Sequence, residues 1–283
     1  MTNQPILSAR VWLVTGASSG LGRAISEAAA LRGDVVVATA RRPEALEDLV
    51  SAYPDRVEAA RLDVTDAAAV AAVLSDVQAR YGRIDVLVNN AGRGQVGAAE
   101  ETTERELRDL FELHVFAPAR LVRAVLPGMR ARRAGAIVQL SSFGGQVAYP
   151  GFSAYCATKF ALEGYSEALA AEVGPLGIRV LIVEPGAFRT SFSGPSLVES
   201  AVLPDYDGTV GPIRHMIKGI DGVQPGDPAK AAEAILIALA ADTTPLRLPL
   251  GDDAVDGIRT HLNAVAAEVD AWEGISRATG HPA

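Results

Sequence analysis

The chain has 283 residues, 49% of them apolar and 21% charged, and carries a formal net charge of −8. That balance suits one large globular domain and argues against a nucleic-acid surface: Arg130, Arg132 and Arg133 cluster only where they complement a helix C-terminus. The lone cysteine, Cys156, rules out an internal disulfide, no apolar run approaches a membrane span, and Met1–Arg10 has no cleavage-like site, so a soluble protein of a reducing, cytoplasmic compartment is expected.

Short β-branched runs alternate with longer helical segments. Residues 11–15 read as a strand, 21–32 as a helix stopped by Gly33, and 35–39 as a second strand before a helix opened by Pro43. A third strand spans 57–62, and Asp66 caps a helix that runs to about Tyr81. A fourth strand spans 84–89, and a long helix covers about 103–133, with a kink expected near Pro118. Strand 136–141, helix 154–173 and strand 178–184 complete the regular part. The strands are nearly continuous Val/Ile/Leu runs, as a parallel sheet covered on both faces requires. After Pro185 the regularity breaks. Residues 187–228 are rich in Gly, Pro, Ser and Asp, and a loop this long in a compact domain is a candidate lid, placed at about 190–228. A helix at 229–241, a strand at 246–250 and a helix at 254–272 follow, within a C-terminal extension of about 251–283. The expected architecture is a single α/β domain over 1–283: a doubly wound, Rossmann-like parallel sheet of about seven strands with helices on both faces.

The first strand runs into Gly16-Ala17-Ser18-Ser19-Gly20-Leu21-Gly22 at the start of a helix. Glycines there let the backbone approach a pyrophosphate, the helix N-terminus supplies unpaired N–H groups, and Ser18 and Ser19 add hydroxyls. At the end of the second strand, where a carboxylate would hold a ribose 2′-hydroxyl, stand Arg41 and Arg42. Guanidinium groups suit a 2′-phosphate, so NADP(H) is expected over NAD(H).

With Asp63-Val64, Asn89-Asn90-Ala91-Gly92, Ser142, Tyr155-x-x-x-Lys159 and Pro185-Gly186 with Thr190, the chain resembles the short-chain dehydrogenase/reductase family over about residues 10–190. The resemblance implies hydride transfer between a nicotinamide and a carbonyl/alcohol pair. It assigns Tyr155 as general acid/base, Lys159 as the cation that favours the phenolate and holds the nicotinamide ribose, and Ser142 as the holder of the substrate oxygen. It also places Asp63 and Val64 at adenine, Asn90, Ala91 and Gly92 beside the cofactor, and Thr190 at the carboxamide. Physically, residues four apart share a helix face, and a nearby ammonium helps a phenol whose ordinary pKa is about 10. One departure stands out: His114 occupies the place of an Asn that completes a proton relay in many members, and either replaces it as a group titrating near neutrality or fills space. Cys156 reads as core, His215 and His261 have no metal-like partners, and no metal site is expected.

Two other readings stay open: an NADP-binding regulator without chemistry, and a non-redox enzyme on the same scaffold. The apolar residues of the candidate lid point to a hydrophobic carbonyl or alcohol substrate. The resemblance implies a homodimer or homotetramer, and Gly164, Ala168 and Ala171 would allow close approach of the catalytic helix to a mate.

Overall fold

The computed structural model describes residues 9–281; most of the Met1–Arg10 stretch, and the last two residues of the expected 1–283 domain, lie outside them. Strand β1 (Val11–Val14) leads through the glycine turn into α1 (Gly20–Leu31), β2 (Val35–Ala40), a 3-10 turn at Pro43–Leu46 and α2 (Glu47–Ala52). Next come β3 (Val57–Arg61), α3 (Ala67–Tyr81) and β4 (Val86–Asn89). Asp66 caps α3 by accepting from Ala68 N at 2.8 Å and Ala69 N at 3.1 Å, and Gly82 ends it. A short strand, β5 (Gly94–Val96), precedes α4 (Glu104–Phe111), which opens with a capping box between Thr103 and Glu106.

The long helix expected over 103–133 is interrupted as anticipated, and the cause is visible. A π-helical turn, Glu112–Phe116, separates α4 from α5 (Ala117–Arg132), and Ala117 N donates to Glu112 O, five residues back. Pro118 has no N–H to give to the carbonyl four residues earlier, so the helix widens there instead of continuing regularly. Then follow β6 (Gly135–Leu140), α6 (Ser153–Val173) and β7 (Ile178–Pro185).

The 187–228 segment is more ordered than its composition suggests. It contains β8 (Leu197–Glu199) and α7 (Gly211–Gly219), and β8 pairs in parallel with β5. A Cβ on Gly94 would lie 2.8 Å from Leu197 Cδ1, so the small residue lets the two strands meet. The chain ends with α8 (Pro228–Ala240), β9 (Arg247–Leu250) and α9 (Asp252–Arg277).

The main sheet has seven parallel strands in the order β3-β2-β1-β4-β6-β7-β9. Alternate residues of each strand feed opposite cores. Trp12 and Val14 point to a core shared with α1, α2 and α8, whereas Val11 and Leu13 point to one shared with α3, α5 and α6. The Trp12 indole is buried with a partner, donating to Asp34 Oδ2 at 2.8 Å. Strand order reverses between β1 and β4, so their carboxyl ends diverge and open a crevice. Arg132 and Arg133 donate to the carbonyls of Ile84 and Pro175, which absorbs part of the one basic cluster. α9 buries only Ala254 and Ile258, and Trp272 is exposed; the expected end at 272 extends one turn further, to Arg277.

Candidate active site

A cavity of about 1020 Å³ fills the crevice at the carboxyl ends of the strands. Its floor is the turn after β1. Gly16 and Gly20 have φ of +66° and +55°, values that glycine adopts without strain. A Cβ on Gly22 would lie 2.3 Å from Asn90 Nδ2 and 2.6 Å from Gly16 O, so this glycine serves packing beneath the turn and does not line the cavity. Asn90 is a strut. Its Nδ2 donates to Thr15 O at 2.9 Å and Gly16 O at 3.0 Å, and its N–H donates to Thr15 Oγ1 at 2.9 Å. Ser19 stands at the N-cap of α1 without using its side chain as a cap, and no acidic residue occupies the first turn. The helix terminus therefore presents open N–H groups and a positive dipole end to the cavity, a donor set that fits a pyrophosphate.

Ser18, Ser19, Gly20 and Leu21 line this floor, with Arg41, Asp63, Val64, Asn90, Ala91 and Gly92 along its edge. Arg41 reaches the cavity, while Arg42 is exposed at the start of the Pro43–Leu46 turn and lies outside the lining. Asp63 Oδ1 accepts from Thr65 Oγ1 at 2.7 Å and Thr65 N at 3.0 Å. These bonds, with the Arg41 charge, hold its carboxyl below the usual range despite partial burial. Val64 O accepts from Arg120.

Across the crevice, Ser142 follows β6, while Tyr155 and Lys159 stand one turn apart on α6, all three on the cavity wall. Ser142 Oγ accepts from Gly144 N at 3.0 Å. Tyr155 is 4% exposed, and its ring meets His114, Phe152 and Phe192 edge-on, at 5.7, 5.8 and 5.5 Å between centroids. Burial pushes the phenol well above its ordinary pKa, and the Ser142 hydroxyl opposes that shift. Burial lowers Lys159 to about 8, with Glu163 working against it. Lys159 Nζ donates to Leu140 O at 2.8 Å and lies 5.7 Å from the Tyr155 ring centre.

His114 sits in the π-helical turn, 2% exposed, with both ring nitrogens engaged. Arg93 N donates to Nε2 at 3.2 Å, so Nδ1 carries the proton and donates to Thr158 Oγ1 at 2.8 Å. Thr158 Oγ1 in turn donates to Tyr155 O at 2.7 Å. Burial and the nearby Lys159 and Arg93 charges push His114 well below its usual pKa. Titration near neutrality, one of the two expectations from sequence, does not suit this environment; the imidazole is neutral and braces the backbone of the catalytic helix.

Pro185 and Gly186 end β7 at the cavity, and Thr190 packs over the glycine turn, its side chain 3.1 Å from where a Gly20 Cβ would stand. Several lining residues carry no motif. Asp253 from α9 accepts from Ala187 N at 2.7 Å, directly after Pro185-Gly186. Gln224 is 2% exposed, yet neither atom of its side-chain amide has a partner. Tyr149, Phe188, Ile213, Met216 and Ile217 add apolar wall. The apolar pattern of 187–228 hinted at those within that segment and not at Tyr149; Asp253 reads in sequence as an ordinary acidic first turn. Cys156 is buried among apolar residues and outside the lining, as expected of core.

The short chain dehydrogenase model matches residues 10–199, which hold the glycine turn, the Asn90 strut and the Ser142, Tyr155 and Lys159 wall. The chain belongs to the short-chain dehydrogenase/reductase family. A short-chain dehydrogenase from Streptomyces avermitilis is 63% identical over 99% of this chain and 100% of that one, with a TM-score of 0.92. Oxidoreductase BOA17 of Botryotinia fuckeliana is 37% identical over 95% of this chain and 99% of its own length. A short-chain dehydrogenase from Sphingobium yanoikuyae in complex with NADPH is 31% identical, with a TM-score of 0.71 over 90% of this chain and 95% of that one. This short-chain dehydrogenase/reductase is thus an oxidoreductase with the family's nucleotide-binding fold.

Proposed function

We propose that this protein is an NADP(H)-dependent carbonyl reductase or alcohol dehydrogenase in which Tyr155 is the general acid and base. The observation that carries the reading is that Ser142, Tyr155 and Lys159 face the same cavity as the glycine turn and the open terminus of α1. Bound NADPH would supply the hydride. Ser18, Ser19 and the α1 N-terminus would hold its pyrophosphate, and Arg41 its 2′-phosphate. The solved relative from Sphingobium yanoikuyae, in complex with NADPH, supports this cofactor. Arg42 is proposed as a secondary, solvent-side contributor.

The chain's own residues account for the proton. The Ser142 hydroxyl orients the carbonyl oxygen toward Tyr155. Burial keeps the phenol protonated at rest, which is the form needed to give a proton to a nascent alkoxide. The Lys159 ammonium then stabilises the phenolate left behind, and the brace from His114 through Thr158 keeps Tyr155 in place. Segment 190–228 is proposed as the lid. Ile213, Met216, Ile217 and Phe192 favour a hydrophobic carbonyl, and the unpartnered Gln224 amide offers that substrate one neutral polar contact. The exposed Gly164, Ala168 and Ala171 on α6 suit the homodimer or homotetramer proposed for the assembly.

The test is NADPH consumption across aldehydes, cyclic ketones, quinones and steroids, with Tyr155→Phe in parallel. Turnover that disappears in the variant supports the reading. Tight NADPH binding without any NADPH-linked turnover would favour a regulator, and substrate conversion without net NADPH consumption a non-redox enzyme.

A further inference from the structure

One turn beyond Lys159 on α6, Glu163 is 4% exposed, and Glu184 of β7 is fully buried. Their carboxylates converge on the same two donors. Gln146 Nε2 donates to Glu163 Oε2 at 3.2 Å and to Glu184 Oε1 at 3.0 Å. Arg247 Nε, from β9, lies 3.1 Å from Glu163 Oε2 and 3.5 Å from Glu184 Oε1. The same guanidinium turns outward to Glu167 at 2.5 Å. The charged groups facing the pair are therefore Lys159 and Glu167 from α6 and Arg247 from β9, with neutral Gln146 and Ser141 from the chain after β6.

The second oxygens, Glu163 Oε1 and Glu184 Oε2, are buried without a hydrogen bond of ordinary length, and the neutral Ser141 hydroxyl stands beside Glu163. One guanidinium divided among three carboxylates does not neutralise two buried anions. Carboxylates that share a dry site do not ionise together cheaply, and their protons belong to the pair. Burial raises both groups above the usual carboxylate range, and the Glu163 charge raises Glu184 further.

We propose that Glu163 and Glu184 hold one proton between them at neutral pH, and that the pair is a positioning device for Lys159, setting the negative charge behind its ammonium. As pH rises the pair releases its proton and its charge doubles, so the Lys159 ammonium survives to a higher pH than its burial alone would allow. The consequence for turnover rests on the reductase reading above; the proton and the lysine ionisation do not.

Lys159, Lys218 and Lys230 are the only lysines in the chain, so a protein labelled with 13C at lysine Cε gives three signals, and Lys159→Arg assigns the buried one. Infrared titration of the full chain should show a carboxylic-acid C=O band at neutral pH that fades on alkalinisation and is absent from Glu184→Gln. In that variant the Lys159 midpoint should fall by about one pH unit, a tenfold change in its ionisation constant. Glu163→Gln should lower it at least as far. The alkaline limb of kcat/KM for a reduced carbonyl should move the same way, because removing a negative charge makes both Lys159 and Tyr155 release protons sooner. No titrating acid band in the wild-type protein would overturn the proposal, and so would a Lys159 midpoint unchanged in both variants. A normal band and lysine shift in a protein without turnover would uphold the pair and sink the reductase reading.

Discussion

The floor and the roof of the cavity are built on different principles. The floor, from Thr15 to Gly22 with its strut at Asn90, is made of backbone: positive-φ glycines, an open helix end and amide-to-carbonyl bonds. The roof, from Thr190 to Gln224, is made of side chains on a short helix and loops, joined to the body by a parallel strand pair, by the buried ion pair between Arg214 and Glu101 at 2.7 Å, and by Val210 and Ile217 packed into the core around Phe152. A backbone site tolerates few residue types and recognises what every substrate shares. A side-chain site tolerates many and discriminates among substrates. Changes to the floor and the catalytic wall should therefore weaken or abolish function for every substrate alike, and changes to the roof should redirect it.

The sharpest break lies at Tyr155. Tyr155→Phe should lower kcat by about 10²–10⁴-fold while leaving NADPH affinity and the melting temperature close to wild type, measured by turnover, fluorescence titration and thermal unfolding. Arg41→Ala should weaken NADPH by about tenfold and leave NADH nearly unchanged, as expected of a residue that meets only the extra phosphate; equal loss for both cofactors would remove Arg41 from that role. Alkaline pH should act through Lys159. Its ammonium is lost above a pKa near 8, so reductive kcat/KM should decline by about tenfold per unit beyond that point and hold steady below it. In the packing beneath the floor, Gly22→Ala forces a methyl group against Gly16 O and Asn90 Nδ2. It should cost about 1–3 kcal/mol in thermal or denaturant unfolding and loosen nucleotide binding. The smallest effect belongs to the roof: Ile213→Ala or Met216→Ala should change KM by a few-fold and alter the rank order of substrates with kcat largely kept. A loss of kcat as large as that of Tyr155→Phe would end the distinction between floor and roof.

What could be read from sequence follows the same division. The seven parallel strands, the turn after β1 and the spacing of Ser142, Tyr155 and Lys159 were all legible: the inner strands are nearly unbroken buried apolar runs, the edge strands Val-Glu-Ala-Ala-Arg and Arg-Leu-Pro-Leu follow the alternation with helices, and a helix face and a phosphate turn impose fixed intervals. The break before Pro118 was legible too, since a missing N–H is a local property. By contrast, the β5–β8 pair unites residues about a hundred positions apart in runs of three, too short for periodicity to register. Arg41 and Arg42 are adjacent, chemically identical and both exposed, and only the folded chain shows that Arg41 borders the cavity while Arg42 does not. His114 was visible as a substitution, yet its neutrality depends on Arg93 and Thr158, which tertiary folding alone brings to its two nitrogens. Asp253 reaches the loop after Gly186 from sixty-odd residues downstream, and nothing local announces it.

The roof is closed at its neck. Gly226 N donates to Ala187 O at 3.0 Å, and Arg189 N donates to Gly226 O at 2.9 Å, so the segment leaves and rejoins the body at almost the same point. In engineering terms the stretch between is an exchangeable cassette. Doubling the length of a flexible loop between fixed ends costs only about 0.6 kcal/mol in chain entropy. A transplanted sequence therefore needs a three-residue strand to lie against Gly94–Val96, an arginine to meet Glu101 and apolar residues in place of Val210 and Ile217 to fill the core around Phe152, leaving the rest of the insert free to define what the cavity admits.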